Sequence, residues 1–128
     1  VIVLMLSSND CNVENDYWRG EEAFVREYVE FAKQLIGLVD GDIRRLFVLP
    51  PPPLYPQAGK HSNVPTMPGA CPLELRNEVY PRLFPLIKEQ LGLPNNNFVD
   101  SFDILGGSDH RREELFCMIL DPVLKPDA

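Results

Sequence analysis

Long apolar runs are scarce in this sequence, and so are histidine, cysteine and clustered positive charge. The longest apolar run is the six residues Val1–Leu6. A membrane span needs about 20, and a secretory signal needs a basic start before a longer apolar stretch, so neither a membrane span nor a signal is expected. Lysine and arginine number 12 against 19 aspartates and glutamates, a formal net charge of −7. The basic pairs Arg44-Arg45 and Arg111-Arg112 are too small to hold a phosphate backbone against that balance, which excludes nucleic acid as an expected partner. Three cysteines, Cys11, Cys71 and Cys117, are odd in number and fit neither zinc spacing nor a disulfide framework, so plain thiols are expected. The two histidines, His61 and His110, stand in loop-like sequence and read as solvated residues.

What remains is ordinary for one globular domain: 128 residues, 45% hydrophobic and 24% charged, enough to bury a single core and too apolar for disorder. Val1–Leu6 has the continuous, β-branched start of a strand buried on both faces of a parallel sheet, and Ser7-Ser8-Asn9-Asp10 supplies a turn. Phe24, Tyr28, Phe31, Ala32, Leu35 and Ile36 recur at helical spacing behind Glu21 and Glu22, with Gly37 placed to end the helix. Leu46–Leu49 reads as a second strand, cut off by Pro50–Pro53. Residues 50–72 form a long proline-rich loop. A second helix is expected over Leu73–Leu91, its regular part beginning near Pro81, and Gly92 and Pro94 end it. Phe98–Asp100 is a third short strand, followed by a polar loop over 104–113. Strand, helix, strand, helix, strand predicts right-handed βαβ units and a parallel sheet. Sites then belong at the strands' carboxyl ends, namely Ser7–Cys11, Pro50–Tyr55 and Asp100–Ile104.

Five stretches in order, "VIVLMLSSND", "VLPPPPLY", "VYPRLFPLIKEQLGLP", "FVDSFDILGG" and "ELFC", resemble the SGNH/GDSL hydrolases, and within them the sialate O-acetylesterase-like carbohydrate esterases. The resemblance implies an α/β fold, a three-layer parallel sheet with flanking helices of flavodoxin-like type. It would be incomplete here: residues 1–117 correspond to a partial SGNH domain without the nucleophile block, and 118–128 to a divergent tail. The valine start, mid-strand by pattern, fits a piece of something longer. With the sheet's first strands missing, Val1–Leu6 is expected to form an exposed edge prone to aggregation.

Relatives of this kind cleave O-acetyl or other short acyl esters on sugars without metal or organic cofactor. A serine attacks the ester, a histidine takes its proton and an aspartate orients that histidine. An asparagine amide in the Gly-x-Asn-Asp turn donates to the oxyanion; by position that residue is Asn9. From the residues alone, Asn9 is a turn cap. Tyr55, after the prolines, and Trp18, with Tyr17, Asp16 and Arg19 around it, are candidate sugar-stacking walls; the bland alternatives are a stiff connector at Tyr55 and a staple at the helix start for Trp18. The expected partner is an acylated carbohydrate or another small ester.

Three departures stand out. Ser7 occupies the turn's glycine position, and no Gly-Asp-Ser occurs in these 128 residues. After "ELFC", Met118 stands where the aspartate belongs and Asp121, before Pro122, where the histidine belongs. Shifting by four to Pro126 puts Lys125 at the histidine instead. An abrupt loss of pattern from Met118 suggests a frameshifted or alternatively spliced tail. The chain alone is therefore expected to lack esterase activity. The alternative function is a non-catalytic carbohydrate-binding module on the same scaffold. An anion or nucleotide site at Ser7–Asp10 is disfavoured, because no glycine-rich loop is present and Asp10 would repel phosphate.

Overall fold

In a computed structural model of the chain, which describes residues 1–7, 10, 11, 13, 16–54, 72 and 74–109, the first apolar run becomes strand β1 (Ile2–Leu4). It lies parallel to β2 (Leu46–Val48), with Ile2 opposite Leu46, Val3 opposite Phe47 and Leu4 opposite Val48. A parallel bridge then joins Val48 to Phe98, and the Val99 N–H donates to the Val48 carbonyl at 3.0 Å. The expected third strand is reduced to this one bridge among the described residues. The fold is mixed α/β with parallel strand pairing.

Helix α1 (Glu21–Gly37) makes the crossover from β1 to β2 and buries Phe24, Val25, Tyr28, Val29 and Ala32. The helix ends at Gly37, as expected, with Leu38 as its C-cap. The turn after it closes where Asp40 and Gly41 adopt positive φ (58° and 73°) and the Gly41 N–H donates to the Ile36 carbonyl at 3.0 Å. Helix α2 (Tyr80–Leu91) buries Tyr80, Leu83, Phe84 and Ile87, and Gly92 caps it in the left-handed region at φ 63°. Its approach is a π-helical turn, Leu75–Val79. Pro81 has no N–H for the Asn77 carbonyl four residues earlier and its ring presses on that carbonyl, so the turn widens and the Tyr80 N–H reaches back to Leu75 instead. Residues Ser101–Ile104, which follow the expected strand Phe98–Asp100, form a one-turn helix, α3; Asp100 caps it by accepting from the Asp103 N–H at 3.1 Å.

Pairing register decides which sheet face is covered. Leu4, Leu46 and Val48, with half-buried Ile2, enter one core with α1 and α2. Phe24 stacks on Tyr80 at 4.9 Å between ring centroids, and Tyr28 meets Phe84 edge-on at 5.3 Å, so aromatic contacts join the two helices. On the opposite face of β1, Val1, Val3 and Met5 are exposed at 78%, 62% and 59%. Parallel sheets ordinarily bury both faces; here the described helices α1 and α2 share one side. Asn97, in a turn ahead of Phe98, is buried and donates from Nδ2 to the Arg44 and Leu46 carbonyls, both at 2.8 Å, which fixes the start of β2. No described helix is long and apolar enough to cross a membrane.

Candidate functional site

The carboxyl end of β1 opens onto a hollow of about 170 Å³ walled by Tyr17, Trp18, Tyr28 and Phe31, with Ser7 and Asp10 on its strand side. Three elements converge there. Ser7 leaves β1 buried and at φ 89°, a conformation that L side chains avoid and glycine adopts freely. The Tyr80 hydroxyl donates to the Ser7 carbonyl at 2.9 Å, pinning that backbone to α2. Trp18, half-buried ahead of α1, rests against Phe24 at 5.6 Å and Tyr80 at 6.1 Å. These contacts anchor the helix start, the staple alternative, and Trp18 also lines the hollow. Arg19 pairs with Glu27 at 2.7 Å along the rim, and both side chains are substantially solvated, so this pair adds shape and charge more than stability.

Two buried hydroxyls of lining residues, Ser7 Oγ and Tyr28 Oη, have no hydrogen-bond partner among the described residues. Burial, with Asp10 adding to it, pushes the Tyr28 phenol well above its ordinary range, and burial does the same to Tyr80. Both stay protonated at neutral pH and remain donors. The hollow thus combines aromatic faces with the solvated Asp10 carboxylate.

Of the sequence-predicted site residues, Trp18 is in the hollow. Asn9 and Tyr55 lie outside the described residues, as do His61, His110 and everything from Arg111 onward. In sequence, Asn9 falls between Ser7 and Asp10, both of which line the hollow. Phe31, expected in the core stripe of α1, is instead 42% exposed and faces the hollow. The stripe centres on Val25, Tyr28 and Ala32, and a residue seven positions after Phe24 falls with it on the rim. Tyr28 was legible as a core residue, not as a lining one. Cys11 is fully buried and disulfide-bonded, which corrects the expectation of plain thiols; spacing along the chain does not reveal which cysteines a fold brings together.

Among the described residues no serine hydroxyl is bonded to a base. Ser7 Oγ is unpartnered and Ser101 Oγ donates to the Pro50 carbonyl. Nor do the described residues include a group of three or more His, Cys, Asp or Glu side chains placed to hold a metal ion. Comparison with protein-family models, with curated proteins and with solved structures finds no match to this chain.

The Ser7 backbone makes a direct prediction. Ser7→Gly should raise the unfolding free energy by about 1 kcal/mol, because it relieves a positive-φ side chain and deletes a buried hydroxyl without a partner. The check is a urea midpoint. An unchanged or lower midpoint would place the backbone outside the left-handed region.

Proposed function

We propose that this chain carries the substrate-facing part of an SGNH-type carbohydrate esterase scaffold, and that by itself it binds an acylated sugar without hydrolysing it. The observation behind the binding reading is the hollow at the end of β1, where aromatic walls meet two residues whose buried hydroxyls have no partner among the described residues. The scaffold reading has separate support. In the Gly-x-Asn-Asp turn of the family the glycine position is Ser7 here, and Ser7 holds a glycine-like φ of 89°. Parallel order from β1 to β2 to the Phe98 bridge is compatible with the family's three-layer sheet.

On this reading Asn9 donates its amide to the carbonyl oxygen of the bound ester, where the oxyanion would form in a scaffold that has a nucleophile, since a neutral amide donates without titrating. Trp18 stacks on the sugar, with Tyr55 as a second wall. The chain contains no Gly-Asp-Ser nucleophile block, and the pattern after "ELFC" supplies no imidazole. An aspartate at 121 is too weak a base near neutral pH to deprotonate a serine hydroxyl.

Two assays test the proposal. In a titration with an O-acetylated methyl glycoside, chemical-shift changes should map to the Trp18 indole and the α1 amides. Trp18→Ala should weaken binding about tenfold, equivalent to about 1.4 kcal/mol. With p-nitrophenyl acetate, turnover should stay at the buffer rate. No sugar-dependent shifts would remove the binding reading; turnover abolished by Asn9→Ala would remove the claim that the chain is inert.

A further inference from the structure

Six arginines lie in the described segments around the core, and five of them are ion-paired. Arg19 and Arg26 meet Glu27, Arg44 meets Asp42, Arg45 meets Asp40 and Arg82 meets Glu21, all with exposed or half-exposed side chains. Arg76 is the exception in both respects. It is only 5% exposed, and its Nε and Nη1 have no hydrogen-bond acceptor among the described residues.

A guanidinium cannot relieve burial by shedding its proton, as a lysine or histidine does. Desolvation does push Arg76 below its ordinary value, though not to neutrality. Among the described residues its electrostatic neighbour is the Tyr80 ring, 5.7 Å from the guanidinium carbon. That ring offers a π face but no charge, because burial keeps the Tyr80 phenol protonated and its hydroxyl is committed to the Ser7 carbonyl. A buried cation held this way is costly unless an anion completes it.

The side chain is also held in place. Arg76 sits in the π-helical turn before α2, a distortion that occurs often at functional sites. Its neighbour Asn77 exchanges two hydrogen bonds with the Leu54 backbone, receiving the N–H at 2.8 Å and donating to the carbonyl at 2.7 Å. Those bonds lock the turn against the segment leaving β2, where Pro51 and Pro53 are fully buried. The turn at Gly107–Asp109 also lies against it. Preorganisation of this kind suits a guanidinium that receives a ligand more than one that merely fills space.

We propose that Arg76 is the receptor of a binding site for a small carboxylate, or for the carboxylate group of a larger ligand, at the carboxyl-terminal side of the sheet behind Tyr80. The guanidinium donates to a carboxylate oxygen through the Nε–H, on one side, or the Nη1–H, on the other, both unmet among the described residues, and the Tyr80 ring lies 5.7 Å from the guanidinium carbon. This site is separate from the aromatic hollow, whose lining does not include Arg76, and it stands whether or not the hollow takes a sugar.

Acetate is the probe. Thermal unfolding of the full chain in rising sodium acetate is compared with sodium chloride at matched ionic strength. For the wild type, the midpoint should climb saturably in acetate over chloride, by about 5 °C at ten times the dissociation constant. Arg76→Lys should keep the fold and a weaker response, since an ammonium lacks the planar fork. Arg76→Met should abolish the difference between the salts. Should Arg76→Met fail to fold, line broadening of ¹³C-acetate by wild type but less by Arg76→Lys gives the same answer. Equal midpoints in both salts, as a carboxylate already supplied by the chain's own residues would produce, overturn the proposal. So does an acetate response that survives in Arg76→Met.

Discussion

Phe84→Ala should lower the unfolding free energy by about 4 kcal/mol, the cost of removing a large buried ring and leaving a cavity that the surrounding helices cannot close. Phe84 is 1% exposed and stands where α1 and α2 are joined. It meets Tyr28 edge-on at 5.3 Å, Tyr80 at 5.8 Å and Phe24 at 6.0 Å. Each neighbour loses an edge-to-face partner as well as dispersion contacts, so alanine cannot be accommodated by one rotamer change. A domain of this size is stable by about 5–15 kcal/mol in total, and the variant should therefore be partly unfolded at 37 °C if the wild type lies near the lower end. Urea unfolding followed by circular dichroism measures it. Phe31→Ala is the matched control: the same chemistry on a side chain 42% exposed at the rim of the hollow should cost less than about 1 kcal/mol. A loss below about 1.5 kcal/mol at Phe84 would mean that the helices are not joined through this ring.

Asn97→Asp is the second large effect, and it depends on pH. The amide donates to both the Arg44 and Leu46 carbonyls from a site that is only 7% exposed. A carboxylate of the same shape cannot donate, and its charge would face two carbonyl oxygens. At pH 7 the expected cost is about 3 kcal/mol, from two lost hydrogen bonds and an uncompensated buried charge. The introduced carboxyl has its folded-state pKa raised above the unfolded value of about 3.9, by burial and by the facing carbonyls. Below that unfolded value both states are protonated and only the loss of one donor remains, about 1 kcal/mol. As pH rises through the unfolded pKa the penalty grows, and it levels off above the folded one. Comparing urea midpoints of the variant and wild type at pH 3.5 and pH 7 should show the gap widening with pH. A gap that narrows instead would rule out the two-carbonyl geometry.

Elements whose boundaries rest on backbone chemistry were the most legible. β1 and β2 follow from a β-branched start and a short apolar run, closed by a turn and by prolines, the start of α1 from paired glutamates, and the end of α2 from Gly92. What escaped was set by contacts distant in sequence or by one-residue changes in backbone. The one-turn helix α3 is too short for periodicity to register, although Asp100 three residues before Asp103 was available as a cap. Beyond Phe98 a strand was expected where a single bridge exists, because three residues with one apolar partner cannot say how long the ladder runs. Pro81 was read as a helix start, correctly, but the widened turn it forces ahead of it was not foreseen, and with that turn came the burial of Arg76. In the site, Trp18 was legible because aromatic and charged residues cluster around it. Tyr28 and Phe31 were hidden by their place in an ordinary amphipathic stripe, where core and rim differ by a few tens of degrees.

The parallel pairing of β1 with β2 also constrains how the chain reaches its native state. Ile2 can meet Leu46 only after α1 has carried the backbone along the sheet and back, so the first strand contact closes a long loop before any sheet energy is recovered. The kinetic barrier therefore falls on docking α1, and its buried face of Phe24, Val25 and Tyr28 would govern the rate of refolding more than the strands it connects.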